Sequence, residues 1–200
     1  MRYKILFFAM CLYLPMLVVG QPNDTANRKS EIEAFTTQVY SVREFQQIAD
    51  SLLLSIDELC DYPVIFPIRK TTRISSGFGM RRHPISKVRQ FHTGIDIPEV
   101  KGTPVYATGN GVVSRKGYGS GYGYFIEITH AGNFRSFYAH LGKTLVNVGD
   151  EVSIAQQIGC VGNTGISTGR HLHYEIRKDK RYLNPKEWCY CLFDVFKIKS

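Results

Sequence analysis

Apolar positions follow a helical rhythm early in the chain and a strand rhythm in the rest. Between Ser30 and Leu59, the residues Ile32, Phe35, Val39, Val42, Ala49, Leu52, Ile56 and Leu59 recur at spacings of three, four or seven. That spacing lays one stripe along one face. The stripe is short and breaks near Thr36-Thr37, so it predicts one or two ordinary helices packing on a domain, not a coiled coil. Asp61-Tyr62-Pro63 ends it, because proline disfavours helical backbone at the residue before it.

Beyond Pro63 the texture changes to β. Val64-Ile65-Phe66 reads as a short apolar strand. Further strands are predicted at Thr103 to Ala107, Gly111 to Ser114, Tyr124 to Thr129, Phe134 to Leu141 and His171 to Ile176, separated by glycine-rich turns. Gly117, Gly119, Gly121 and Gly123 alternate with tyrosine and serine without forming a dinucleotide-binding G-x-G-x-x-G, and no helix follows them. They read as a mobile hairpin bordering a cleft. Strands this close together, with no helices between them, predict a mainly β architecture: an antiparallel sheet or sandwich preceded by a short helical segment.

Residues 1–20 read as an export signal: Arg2 and Lys4, then an apolar run from Ile5 to Val19 that contains Pro15. The run is shorter than the roughly 20 residues a membrane-spanning helix prefers, so a cleaved signal is favoured over an anchor. The expected organisation is therefore a signal over 1–20, a helical extension or linker over 21–62, a catalytic domain over 63–188 and a tail over 189–200. The tail's apolar stretch, Leu192 to Ile198, asks for a packing partner.

Charge sharpens this picture. The chain carries 25 basic and 17 acidic residues. Loss of residues 1–20 removes two basic ones and leaves a net charge of +6. In an exported protein such a surface suits an anionic partner in the envelope, whether wall polymer or membrane headgroups. Nucleic acid fits poorly, because no basic helix or basic–aromatic motif stands out. Of the four cysteines beyond the signal, Cys189 and Cys191 are too close to pair without strain, so a link from one of them to Cys60 is more plausible. Cys160, in an apolar run, reads as a buried free thiol.

All six histidines lie between His83 and His173. Three segments stand out: His92-Thr-Gly-Ile-Asp96, Tyr138-Ala-His140 and His171-Leu-His173. A catalytic zinc takes three protein ligands at about 2.0–2.2 Å and leaves one position for water; two histidines and a carboxylate meet that count. In a straight strand, positions i and i+4 stand about 13 Å apart. The segment from His92 to Asp96 must therefore curve, and Gly94 is where it can do so cheaply. In the last segment, period two puts His171, His173 and Glu175 on a polar face lining a cleft, with Leu172, Tyr174 and Ile176 packing inward. One histidine of that pair can bind metal while its neighbour reaches water or substrate. His83 and His130 are expected to be structural or groove-lining.

With Gly77-Phe-Gly-Met-Arg81-Arg-His83-Pro84, Phe91-His-Thr-Gly-Ile-Asp96, Phe137-Tyr-Ala-His140-Leu141 and Gly162 to Glu175 all present, the chain resembles the lysostaphin-like M23 (LytM-type) zinc metalloendopeptidases from Ile68 to Trp188. The resemblance implies an antiparallel β domain with a long groove, one zinc ion on His92, Asp96 and His173, and a catalytic pair of His140 and His171. It further implies hydrolysis of peptide bonds in peptidoglycan stems or cross-bridges. A non-catalytic module of the same fold, binding wall peptides or activating another hydrolase, is the alternative. Two departures show: Arg170 stands where the family commonly has proline, and Ala155 where it commonly has glycine. No tyrosine just upstream of His92 matches the one some members use to stabilise the transition state.

Overall fold

The structure is a computed structural model that describes residues 25–69, 73–82 and 87–189. The export-signal reading, His83, Cys191 and the apolar tail fall outside those residues. The chain divides into Met1–Glu31 and Ile32–Ser200. Of the first unit only the opening turns of helix α1 (Thr25–Thr36) are described. The rest of this account concerns the second unit.

Two short helices follow α1, each started by its own sequence. At α2 (Val42–Ser51) the Ser41 hydroxyl accepts from the Glu44 amide while the Glu44 carboxylate accepts from the Ser41 amide. Ser55 and Glu58 repeat this reciprocal cap at α3 (Ile56–Leu59). Each arrangement satisfies two amides that a helix start otherwise leaves bare. The buried stripe differs from the expected one: Phe45 is fully buried, whereas Phe35 and Ile56 are exposed. Phe45 packs against Tyr62 (4.8 Å between ring centres) and against Trp188 of the C-terminal turn α4 (Pro185–Trp188) at 5.4 Å. Helices and sheet thus share one core.

The β half is antiparallel throughout. The strands are β1 (Gly79–Arg82), β2 (Arg89–His92), β3 (Ile95–Pro98), β4 (Pro104–Tyr106), β5 (Gly111–Gly119), β6 (Gly123–Thr129), β7 (Phe134–Thr144), β8 (Glu151–Val152), β9 (Gln157–Val161), β10 (His171–Lys178) and β11 (Arg181–Leu183). The main sheet runs β11-β10-β7-β6-β5-β8; β3 shares an edge of β10 with β11, and β9 joins β7 to β4. β1 and β2 form a separate two-stranded sheet. Val64-Ile65-Phe66, expected as a strand, makes only isolated bonds beside β4, with Val64 N donating to Thr108 O (3.0 Å) and Pro67 O accepting from Tyr106 N (3.0 Å). The glycine-rich run forms the β5–β6 hairpin, whose tip reaches the cleft described below.

Three sequence features find their reasons here. Ala155, at the position where glycine is common, has φ +62°, a backbone conformation that costs any residue with a Cβ. Cys160 is free but only half-buried, and Cys60 and Cys189 are also free thiols, so no link joins Cys189 to Cys60. His130 is structural, as expected. Its Nδ1 donates to Asn110 O and its Nε2 accepts from Ser136 Oγ, both at 2.7 Å.

Burial pushes the His130 pKa down to about 4, against a partly opposing bond to Asn110 O. The unfolded chain takes up that proton near pH 6.5. The unfolded state therefore binds more protons than the folded one between pH 6.5 and 4. Stability is full above that window and falls as pH drops through it, by up to about 3 kcal/mol from this residue. Urea midpoints at pH 7 and pH 4.5 should show a His130→Gln variant losing less on acidification than the parent. Equal losses would contradict this role.

Candidate active site

The site is built where β3 and β10 pair. Their register sets Asp96 directly opposite His173, and Asp96 Oδ1 lies 2.9 Å from His173 Nδ1. His92 enters from the end of β2, and its Nε2 stands 3.2 Å from both His173 Nδ1 and Asp96 Oδ1. The H-x-x-x-D segment is thus not one curved strand. It is two strands in two sheets, joined across Thr93-Gly94. Gly94 is required for closeness rather than for bending: a Cβ there would lie 2.2 Å from the Tyr174 carbonyl oxygen of β10.

A donor–acceptor account of these three groups fixes what they can hold. His92 Nδ1 is 2.7 Å from Gly77 O, which can only accept, so that nitrogen carries the proton and Nε2 presents a bare lone pair. His173 Nε2 is 2.9 Å from the Glu175 carboxylate, so Nδ1, 2.9 Å from Asp96 Oδ1, is the nitrogen that a neutral ring can turn to a metal. With a metal in place, two imidazole lone pairs and a carboxylate oxygen would face it. Without one, His173 and His92 stand within hydrogen-bonding reach of Asp96 Oδ1, and although burial works against a charge on His173, Asp96 and Glu175 raise its pKa to about 9. The triangle of these three atoms, 2.9–3.2 Å on a side, is close to the roughly 3.5 Å spacing of donors around a tetrahedral zinc. Among the described residues this is the group of His, Cys, Asp and Glu able to hold a metal ion. Burial works against the charge on Asp96, but hydrogen bonds from His173 and His92 hold its carboxyl well below the usual range.

The second pair of histidines faces the same point. His140 donates from Nδ1 to Thr164 O (2.8 Å), and His171 from Nδ1 to Gly169 O (2.8 Å), which leaves both Nε2 atoms bare. Their rings lie 4.6 Å apart, and His171 Nε2 is 3.6 Å from Asp96 Oδ1. His140 sits at a β7 irregularity with φ +58°. Positive φ in a non-glycine residue is uncommon and concentrates at functional sites. Residues flanking β6 and β9 hold it in place: His140 N donates to Tyr122 O (2.8 Å), just before β6, and His140 O accepts from Gly162 N (3.0 Å), just after β9. Burial, ahead of an opposing bond to Thr164 O, brings the His140 pKa down to about 4.

All five residues expected from the sequence therefore converge, in a cleft of about 320 Å³. Its walls also include Arg81, Gln90, Phe91, Tyr122 and Ile166. The alternation read for β10 is present: Leu172, Tyr174 and Ile176 are fully buried on one side, with the histidines and Glu175 on the other. Tyr122 went unrecognised in the sequence. It comes from the glycine-rich hairpin, its ring 5.9 Å from that of His173. Arg81, whose Nη2 is 3.4 Å from Asp96 Oδ2, was visible only as part of the Gly77–Pro84 motif. Arg170 is exposed.

The sequence model of peptidase family M23 matches residues 90–185, a span containing all five convergent residues. The chain is also 33% identical to the catalytic domain of the prophage-encoded M23 protein EnpA from Enterococcus faecalis (a mutant form), covering 95% of that structure and 60% of this chain at a TM-score of 0.52. This chain belongs to peptidase family M23. The chain is also similar to a zinc-containing peptidase from Vibrio cholerae, at 35% identity and a TM-score of 0.58 over 60% of this chain and 38% of that one.

Among curated M23 relatives, the DD-carboxypeptidase/endopeptidase Mpg of Neisseria meningitidis serogroup B is 47% identical over 57% of this chain and 26% of its own length. The peptidoglycan DD-endopeptidase ShyA of Vibrio cholerae is 38% identical over 75% of this chain and 33% of its own. The match thus spans a third or less of these two relatives' length.

Proposed function

We propose that this chain is an exported zinc metalloendopeptidase acting on peptide bonds of peptidoglycan, with one zinc ion held by His92, Asp96 and His173. The observation that carries the reading is the convergence of His92, Asp96 and His173 on one point of the cleft, with the His140 and His171 rings beside them. Three donors of this N,N,O kind suit a catalytic zinc with one position left open, whereas a structural zinc is closed by four. When bound, zinc polarises the scissile carbonyl and makes a water acidic enough to ionise near neutral pH.

The chain's own residues supply proton transfer. Thr164 O and Gly169 O accept from Nδ1 of His140 and His171, so the inner nitrogen of each neutral ring is the one free to accept. One takes the proton of the attacking water, and the pair returns it to the leaving amine. Tyr122 lines the same cleft, with its hydroxyl 3.5 Å from Glu175 Oε1.

The names of Mpg and ShyA support peptidoglycan, and D,D-bonds first, as the substrate. Residues 1–20 and the basic balance of the remainder support export to an anionic envelope.

The test is incubation of the purified protein with purified peptidoglycan, with and without chelator, followed by mass analysis of the fragments. Cross-linked dimers should fall to monomers only without chelator. Cleavage indifferent to chelator would sink the metal assignment. Binding to the polymer with no new fragments would favour the non-catalytic module.

A further inference from the structure

The proposed zinc site rests on a buried charge that the ligand set alone leaves unexplained. Glu175 has no exposed surface, yet it sits between the His173 ring and the Arg177 guanidinium. Burying a carboxylate is expensive unless every oxygen is paired. Here the two oxygens are divided. Oε1 accepts from His173 Nε2 (2.9 Å) and from the Thr93 hydroxyl, with the Tyr122 hydroxyl 3.5 Å away. Oε2 accepts from Arg177 Nε (2.7 Å) and from its Nη2.

Sheet register explains why the arginine is there. Glu175 stands opposite Phe137 of β7, and Phe137 stands opposite Glu127 of β6. The Arg177 guanidinium lies 4.5 Å above the Phe137 ring and reaches Glu127 Oε2 with Nη1 at 3.0 Å. Glu127 is itself buried and also faces Arg115 and Arg135 at 3.8 and 4.0 Å. The row therefore runs from a proposed zinc ligand through alternating charges to Arg135 and the exposed Arg115, across the four strands β10, β7, β6 and β5.

We infer that Glu175, clamped by Arg177, is the positioning residue that makes His173 a metal ligand. A neutral imidazole can carry its proton on either nitrogen. Only the tautomer protonated at Nε2 offers Nδ1 to a metal, and Glu175 Oε1 selects it. Stability alone does not account for the arrangement, because a buried ion pair is often matched or bettered by apolar residues of the same volume. Partners of this kind behind metal-binding histidines are worth about 10–100-fold in metal affinity.

The inference rests on His173 binding zinc, and the test separates the two. Zinc affinity is measured by competition with a chromophoric chelator on the full chain, for the parent and for Glu175→Gln. The parent should bind one zinc, and Glu175→Gln should bind it about 10–100-fold more weakly. Loaded with cobalt, Glu175→Gln should also shift the visible ligand-field bands. Ile176→Val, a core change on the opposite face of β10, should leave both readouts at parental values. If Glu175→Gln does not fold, Arg177→Lys serves: loss of the two-pronged grip should weaken zinc binding about threefold or more. A parent that binds no zinc would sink the reading of the site. A parent that binds zinc, with the folded variant binding it equally well and with unshifted bands, would overturn this inference alone.

Discussion

Replacing His173 with alanine should remove zinc and hydrolysis together, with activity falling by at least about a thousandfold. His173 is the hub of the site, because its Nδ1 lies within 3.2 Å of both other proposed ligands and its Nε2 is bonded to Glu175. The deletion leaves a two-donor site, too few for a catalytic zinc. It also leaves the buried Glu175 with Arg177 as its remaining charged partner, so some loss of stability should accompany it. Elemental analysis of the purified variant beside the parent is the check, with peptidoglycan turnover measured on the same samples. A variant that retained one zinc per chain would place the metal elsewhere.

His140→Ala should separate what His173→Ala joins. His140 belongs to the proposed proton-transfer pair and not to the ligand triangle, so zinc content should stay at the parental level. Turnover should fall by about 10²–10⁴, the range expected when a positioned acid–base group is lost. Because the interaction acts on the reaction step, the fall should appear in kcat with little change in KM. The alanine inherits a backbone at φ +58°, so His140→Asn, which tolerates that conformation better, is a useful companion. Full activity in both folded variants would remove His140 from the mechanism. Loss of zinc in both would make it a ligand instead.

Much of this site was legible in the sequence because strand alternation is a strict rule. The order His171-Leu172-His173-Tyr174-Glu175-Ile176 can bury Leu172, Tyr174 and Ile176 only by turning the other three to the opposite face, and the structure does so. The separation of His92 from Asp96 showed that the chain must change direction between them. It did not show how, because the two strands belong to different sheets and the demand on Gly94 comes from the Tyr174 carbonyl, a partner 80 residues away.

The acceptors that set the imidazole tautomers were equally hidden. Gly77 O, Thr164 O and Gly169 O are main-chain atoms, and any residue type could have supplied them. Tyr122 was obscured because a hairpin tip carries no periodicity. Val64-Ile65-Phe66 was read as a strand on composition alone, and the ladder that would have made it one is absent. The helical stripe erred in detail for a related reason. Aromatic packing with Tyr62 and Trp188, and not the local spacing, decides that Phe45 goes inside while Ile56 stays out.

The most direct test of the metal assignment is diffraction from zinc-soaked crystals, recorded on both sides of the zinc absorption edge. The account predicts one anomalous peak at about 2.0–2.2 Å from His92 Nε2, Asp96 Oδ1 and His173 Nδ1, with the fourth position open to the cleft. A peak elsewhere, or one closed by His171 Nε2 as a fourth protein ligand, would contradict it.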